Sequence, residues 1–275
     1  MSLPSPDRPV TLLHLTDMHL YAHAGGTLLG IDTEASFQAV IHHVRASGRA
    51  PDRILATGDL SQDGSHASYV RFLSMTAALG TPLHVLPGNH DVRAPFHEVL
   101  AAQADPVVDC GAWRIVLLDS LVPGTDGGHL AEDQLDLLRD AGQIGPDRHL
   151  LVALHHNPIP MDSAWLDPMQ VDNADALFDI LAGLPRARAL VWGHVHQSHD
   201  SRLPATARPA GLHLMSTPST CFQFLPHGTR FSLDAAPPGY RWIMLYADGR
   251  IETEVVRIPA LPPEAGHPQL NSSGY

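Results

Sequence analysis

An α/β fold is what the sequence predicts, on three observations. Short apolar runs of strand length alternate with amphipathic helical patterns over the first two thirds of the chain. The last third turns to strand-like runs separated by turn pairs. The composition, 44% apolar and 17% charged over 275 residues, is that of a globular protein with a sizeable core.

The strand-like runs are 10–15, 53–56, 83–86, 113–118, 149–154 and 190–192, each short, apolar and closed by turn formers. Later runs are 212–215, 240–246 and 251–258, the last two joined by the Asp248-Gly249 turn. Residues 33–47 place Phe37, Val40, Ile41 and Val44 at helical spacing on one face. Further helices are expected at 64–79, 94–103, 131–141 and 173–182. The β-rich close predicts a second sheet built from the late strands. The chain reads as one domain over residues 1–275, with loosely packed ends at 1–9 and 259–275, both Pro-rich.

Charge and composition exclude several functions. The formal net charge is −12, which opposes non-specific binding to nucleic acid or anionic membranes. All 17 Lys and Arg positions are Arg, so Schiff-base lysine chemistry and a Walker-type phosphate loop are ruled out. Cys110 and Cys221 form no CxxC pair, which speaks against a thiolate metal site. A signal-peptide pattern and an apolar run of about 20 residues are both missing, so the expected location is cytoplasmic. Histidine is abundant, at 19 residues, and imidazole is the commonest metal ligand.

The informative pattern lies at the strand ends. Thr16-Asp17-Met18-His19, Thr57-Gly58-Asp59, Gly88-Asn89-His90-Asp91, His155-His156 and Gly193-His194-Val195-His196 each follow an apolar run. In open α/β sheets ligands bind at the C-terminal strand edge. Five such edges side by side would pool Asp17, His19, Asp59, Asn89, His155, His194 and His196. Asp17/His19 and His194/His196 are i, i+2 pairs, whose members point to one side in extended chain. Gly58, Gly88 and Gly193 each precede a candidate ligand and permit a close backbone approach. Seven nitrogen and oxygen ligands are too many for one ion and suit two that share a carboxylate. The sulfur-free set suits Mn, Fe, Zn or Co better than Cu(I) or an Fe–S cluster, and sequence does not choose among them.

These motifs resemble the calcineurin-like metallophosphoesterases, and within them the class III cyclic nucleotide phosphodiesterases of the bacterial 3′,5′-cyclic AMP type. Leu28-Leu29-Gly30, 163–167 (SAWLD), 216–224 (STPSTCFQF) and the closing Gly274-Tyr275 share the likeness. The resemblance implies a two-sheet β-sandwich flanked by helices, a four-layer α/β/β/α fold. It assigns Asp17, His19 and His196 to a first metal, Asn89, His155 and His194 to a second, and Asp59 to the bridge. Asn89, His90 and His196 would contact substrate, and His90 would assist the leaving group. Asp91 is expected to orient a neighbouring imidazole. The implied reaction is attack of a metal-activated hydroxide on phosphorus, converting 3′,5′-cyclic AMP to 5′-AMP. A broader phosphodiesterase or phosphomonoesterase, such as a glycerophosphodiesterase or a 2′,3′-cyclic nucleotide phosphodiesterase, is the alternative, since the metal ligands read only phosphate. A scaffold without activity is disfavoured, because all seven ligand positions and His90 are present. The implied partner is a small cyclic nucleotide, with no nucleic acid or membrane, and a homodimer stays open.

Overall fold

The computed structural model describes residues 8–207 and 209–270. The expected loose end at 1–9 lies mostly outside them, as does Gly274-Tyr275. The chain begins with β1 (Val10–Leu15), a small hairpin of β2 (Thr27–Leu28) and β3 (Ile31–Asp32), α1 (Thr33–Ala46), β4 (Arg53–Thr57), α2 (His66–Ala77), β5 (Leu83–Leu86) and α3 (Arg93–Leu100). It continues through β6 (Val107–Cys110), β7 (Trp113–Leu117), α4 (Glu132–Ala141), β8 (His149–Ala153), α5 (Ala174–Ala182) and β9 (Ala187–Trp192). Last come β10 (His199–Arg202), β11 (His213–Ser216), a hairpin of β12 (Gln223–Phe224) and β13 (Leu233–Asp234), β14 (Gly239–Leu245) and β15 (Ile251–Arg257). Short 3-10 turns lie at Asp167–Met169 and Pro263–Ala265.

Two sheets form the core. The first has the order β15-β14-β1-β4-β5 and the second β10-β11-β9-β8-β7-β6. In the first, β1, β4 and β5 run parallel and β14 and β15 pair antiparallel. In the second, β11, β9, β8 and β7 run parallel, with β10 and β6 as antiparallel edges. This corrects the expected second sheet of late strands: β14 and β15 extend the N-terminal sheet, and the second sheet is built mainly from the middle of the chain.

Strand periodicity of two explains the layers. Along β1, Leu12 enters the core between the sheets, while Leu13 and Leu15 pack with Phe37 and Phe72 of α1 and α2. Along β8, Leu151 and Ala153 face the intersheet core, while Leu150 and Val152 pack with Leu138 and Leu177 of α4 and α5. The result is helix, sheet, sheet, helix, as the resemblance implied. Asp32 caps α1 by accepting from the Ala35 N–H (3.0 Å). Beyond β15, Ala265 is fully buried and the Gln269 N–H donates to Leu29 O (2.9 Å).

Candidate metal centre

The strands β1, β4 and β5 of one sheet and β8 and β9 of the other end at a common edge, and the candidate side chains follow directly. Asp17 and His19 leave β1, Asp59 leaves β4, Asn89 and His90 leave β5, His155 leaves β8, and His194 and His196 leave β9. All seven predicted ligand positions are brought together, though from two sheets rather than one. The exits are laced by backbone bonds: Asp17 N–H to Gly58 O (3.1 Å), His19 N–H to Asp59 O (2.9 Å) and Gly193 N–H to His155 O (3.1 Å). Across the sandwich, the His194 N–H donates to the Asp17 carboxylate (3.2 Å). Asp17, His19, Asp59, His155, His194 and His196 are buried, and Asn89 and His90 are half-buried.

The backbone reaches this arrangement by left-handed residues, not by extended chain. Asp17 (φ 56°), His19 (51°), Asp59 (49°), His194 (64°) and His196 (46°) all have positive φ. The i, i+2 partners do converge, but each pair turns around a buried residue, Met18 or Val195. Such conformations cost about 1–3 kcal/mol each outside glycine and persist only where the surroundings fix them. Gly58 has φ +90°, and a Cβ there would strike the His155 imidazole. A Cβ on Gly193 would collide with Thr16 Oγ1. These close approaches seat the two sheets' loops against each other.

The polar atoms require positive charge between them. His155 Nδ1 lies 2.8 Å from Thr57 O and His196 Nδ1 lies 2.8 Å from Phe222 O. Carbonyls only accept, so both Nδ1 atoms carry hydrogen and both neutral rings present Nε2 lone pairs. His155 Nε2 then faces Asn89 Oδ1 (3.0 Å) and Asp59 Oδ2 (3.4 Å). His196 Nε2 faces His19 Nε2 (3.2 Å) and Asp17 Oδ1 (3.4 Å). His19 Nδ1 is oriented by Gln62 Oε1 (2.7 Å). Buried acceptors aimed at one another are unstable unless a cation or proton lies among them. Four groupings of possible ligands, each with its atoms within 4.8 Å of one another, overlap here: Asp17/His19/His196, Asp17/Asp59/His155, His19/Asp59/His90 and His155/His156/His194. Divalent metal ions fit this donor set.

The titration directions carry the same demand. Burial works against a proton on His155, but Asp59 and then Asp17 outweigh it and raise its pKa to about 9. Burial pushes His19 down to about 3 and His194 well below the usual imidazole range. Asp17 stays low against burial because His196 and His155 face it. Asp91 is tied to the loop backbones. Its carboxylate accepts from the N–H groups of Gly88 (2.8 Å), Ser61 (3.1 Å) and Leu60 (3.3 Å) and so pins the loops after β4 and β5. Burial and the Asp59 charge raise its pKa to about 7.

A cavity of about 320 Å³ opens on the cluster, walled by Asn89, His90 and His194 on one side and Trp165, Phe224 and Phe231 on another. The His90 N–H donates to Asp59 Oδ1 (2.9 Å), and its ring packs edge-on to His19 at 5.0 Å. Sequence reasoning missed His156, which is fully buried, meets Ser120 Oγ through Nδ1 (2.8 Å) and lies 4.7 Å from the His194 ring. Its place directly after His155 was the available signal. The aromatic wall carried no such signal.

A two-sheet sandwich whose parallel strand ends converge on a buried cluster of Asp, Asn and His donors is the architecture of a metallophosphoesterase. The chain belongs to the calcineurin-like phosphoesterase family, whose model matches residues 10–198. It is 46% identical over 258 residues to the 3′,5′-cyclic adenosine monophosphate phosphodiesterase CpdA of Pseudomonas aeruginosa, covering 93% of this chain and 92% of that one. It is 40% identical to CpdA of Escherichia coli strain K12, covering 97% and 95%. Among solved structures, a dimetal phosphatase from Danio rerio shares the fold, with a TM-score of 0.62 at 15% identity over 90% of this chain and 99% of that one.

Proposed function

We propose that this chain hydrolyses 3′,5′-cyclic AMP to 5′-AMP at a centre of two first-row metal ions. The observation that carries the reading is the convergence of seven donor side chains from five strand ends, with their lone pairs aimed inward. The substrate is supported by the two relatives named as cyclic AMP phosphodiesterases, matched over nearly their full lengths. The oxygen and nitrogen donors suit Fe, Mn, Zn or Co, and the family likeness points to Fe or Mn first.

Asp17, His19 and His196 would hold one ion, and Asn89, His155 and His194 the other. Asp59 Oδ2, 3.8 Å from His19 Nε2 and 3.4 Å from His155 Nε2, lies between the two sets and would serve both. When bound, the ions would lower the pKa of coordinated water toward about 7 and offset charge on the phosphoryl oxygens. The chain's own residues do the rest. Thr57 O, Phe222 O and Gln62 Oε1 lock three imidazoles in the tautomer that presents Nε2. Asn89, His90 and His196 contact the phosphodiester. As the water oxygen bonds to phosphorus and the bond to O3′ breaks, the His90 ring would give a proton to O3′ and regain one from the proton that the water loses. The cytoplasm suits this reading, since Cys110 and Cys221 are both free thiols.

The test is metal analysis of the purified enzyme, paired with turnover of cyclic AMP, cyclic GMP, 2′,3′-cyclic AMP, a glycerophosphodiester and a phosphomonoester. Highest kcat/KM for cyclic AMP, lost on chelation and restored by Mn or Fe, is expected. A faster monoester or glycerophosphodiester would reassign the substrate, and undiminished activity after metal removal would end the two-metal reading.

A further inference from the structure

The cavity over the metal centre has two chemically different ends. Asn89, His90 and His194 line the end that meets the phosphodiester. Also lining it, Trp165 packs edge-on to Phe224 at 4.9 Å and to Phe231 at 5.2 Å. The cluster is continuous with the centre, because Phe224 stacks on the His196 ring at 4.3 Å and 23°. Phe224 is buried, while Trp165 and Phe231 are half-buried and line the cavity. A phosphodiester held by Asn89, His90 and His194 would bring its ester substituent into the same cavity as these rings.

Which substituent fits follows from the wall's chemistry. A polyol such as glycerol would lose water on aromatic faces without gaining hydrogen bonds there. A nucleobase presents a flat π face that stacks on aromatic rings whatever its hydrogen-bonding edge. At about 320 Å³ the cavity sits near the small end of ligand pockets. Asp126 also lines it, and its carboxylate opposes a second phosphate.

We propose that Trp165, Phe224 and Phe231 form the nucleobase subsite of this enzyme and set its preference for a base-bearing cyclic monophosphate over other diesters. The proposal rests on the cyclic nucleotide reading above. Trp113, Trp192 and Trp242 are fully buried in the core, so of the chain's 4 tryptophans Trp165 alone lines the cavity and can report a stacked base.

The experiment uses metal-loaded enzyme and two probes, AMP and base-free ribose 5-phosphate, with cyclic AMP and ribose 3′,5′-cyclic phosphate as substrates. AMP is expected to quench tryptophan fluorescence and ribose 5-phosphate is not; Trp165→Ala abolishes the quench. Trp165→Ala should lower kcat/KM for cyclic AMP about 10-fold or more, chiefly through KM. Its kcat/KM for the base-free substrate should fall no more than about 3-fold, so that selectivity collapses. Trp165→Phe restores most of it, and Phe231→Leu, a milder packing change, lowers the same ratio by a smaller factor. Equal losses on both substrates, or an AMP quench that survives in Trp165→Ala, would overturn the subsite. A wild-type enzyme that cleaves the base-free diester but not cyclic AMP would instead refute the cyclic AMP reading itself.

Discussion

At the polar end of the cavity every side chain follows a parallel strand by no more than a few residues, and hydrogen bonds fix the backbone on both sides of it. At the aromatic end, Trp165 stands in irregular chain just before a 3-10 turn, and Phe224 sits in a two-residue strand. The first end inherits its precision from the sheets, whose registers set where each strand stops. The second is held by ring packing in loops and can be reshaped without disturbing the sheets. On the proposed reading, chemistry would sit on the rigid element and recognition on the adaptable one.

Substitutions at the polar end should therefore cut turnover whatever the substrate, unlike those at the wall. The largest effect is expected for His90→Ala, a loss of about 10²–10⁴-fold in kcat with near-normal metal content. Loss of the metals instead, measured by elemental analysis, would make His90 a ligand. Asn89→Ala and His194→Ala should keep the fold but reduce activity by at least about 10-fold through weaker occupancy of one metal. Wild-type turnover in a metal-analysed Asn89→Ala sample would remove that residue from the centre. Gly193→Ala, which forces a Cβ onto Thr16 Oγ1, should destabilise by about 1–3 kcal/mol, read as a lowered urea midpoint. An unchanged midpoint would show that the sheets' loops are not locked there.

The gentlest effect near neutrality concerns pH. His14 lies buried between the sheets, meeting Thr217 Oγ1 (2.6 Å) and Thr57 Oγ1 (2.7 Å). Burial, helped by the Arg241 charge, depresses its pKa from 6.5 to about 3. The folded state keeps it neutral while the unfolded chain takes up a proton below 6.5, so stability is lost as pH falls from 6.5 toward 3. Urea titrations of metal-free protein at pH 7 and pH 5 should show that loss, and His14→Asn should lessen its slope. An identical slope in the variant would remove His14 as a source.

The contrast also explains what was legible in the sequence. Strands such as β1, β4 and β8 are largely buried and read as mainly apolar runs, so they and the polar residues after them stood out. The polar edge strand β10 (HDSR) and the short β6 (VVDC) carry too little pattern to be read. Membership of β14 and β15 in the first sheet depends on pairing with β1, more than 200 residues away, which no local period encodes. The left-handed backbone at Asp17, His19 and His196 was equally hidden, because nothing in a run such as TDMH distinguishes a turn from extended chain. Trp165 and Phe224 meet only through tertiary packing.

The bond from the His194 amide to the Asp17 carboxylate joins loops of opposite sheets at the point where the ions would sit. Cations bound there would help hold the sandwich shut, because the donors that face them come from both layers. Metal starvation should then do more than silence the enzyme: it should let the two halves work loose and leave the chain easier prey for proteases.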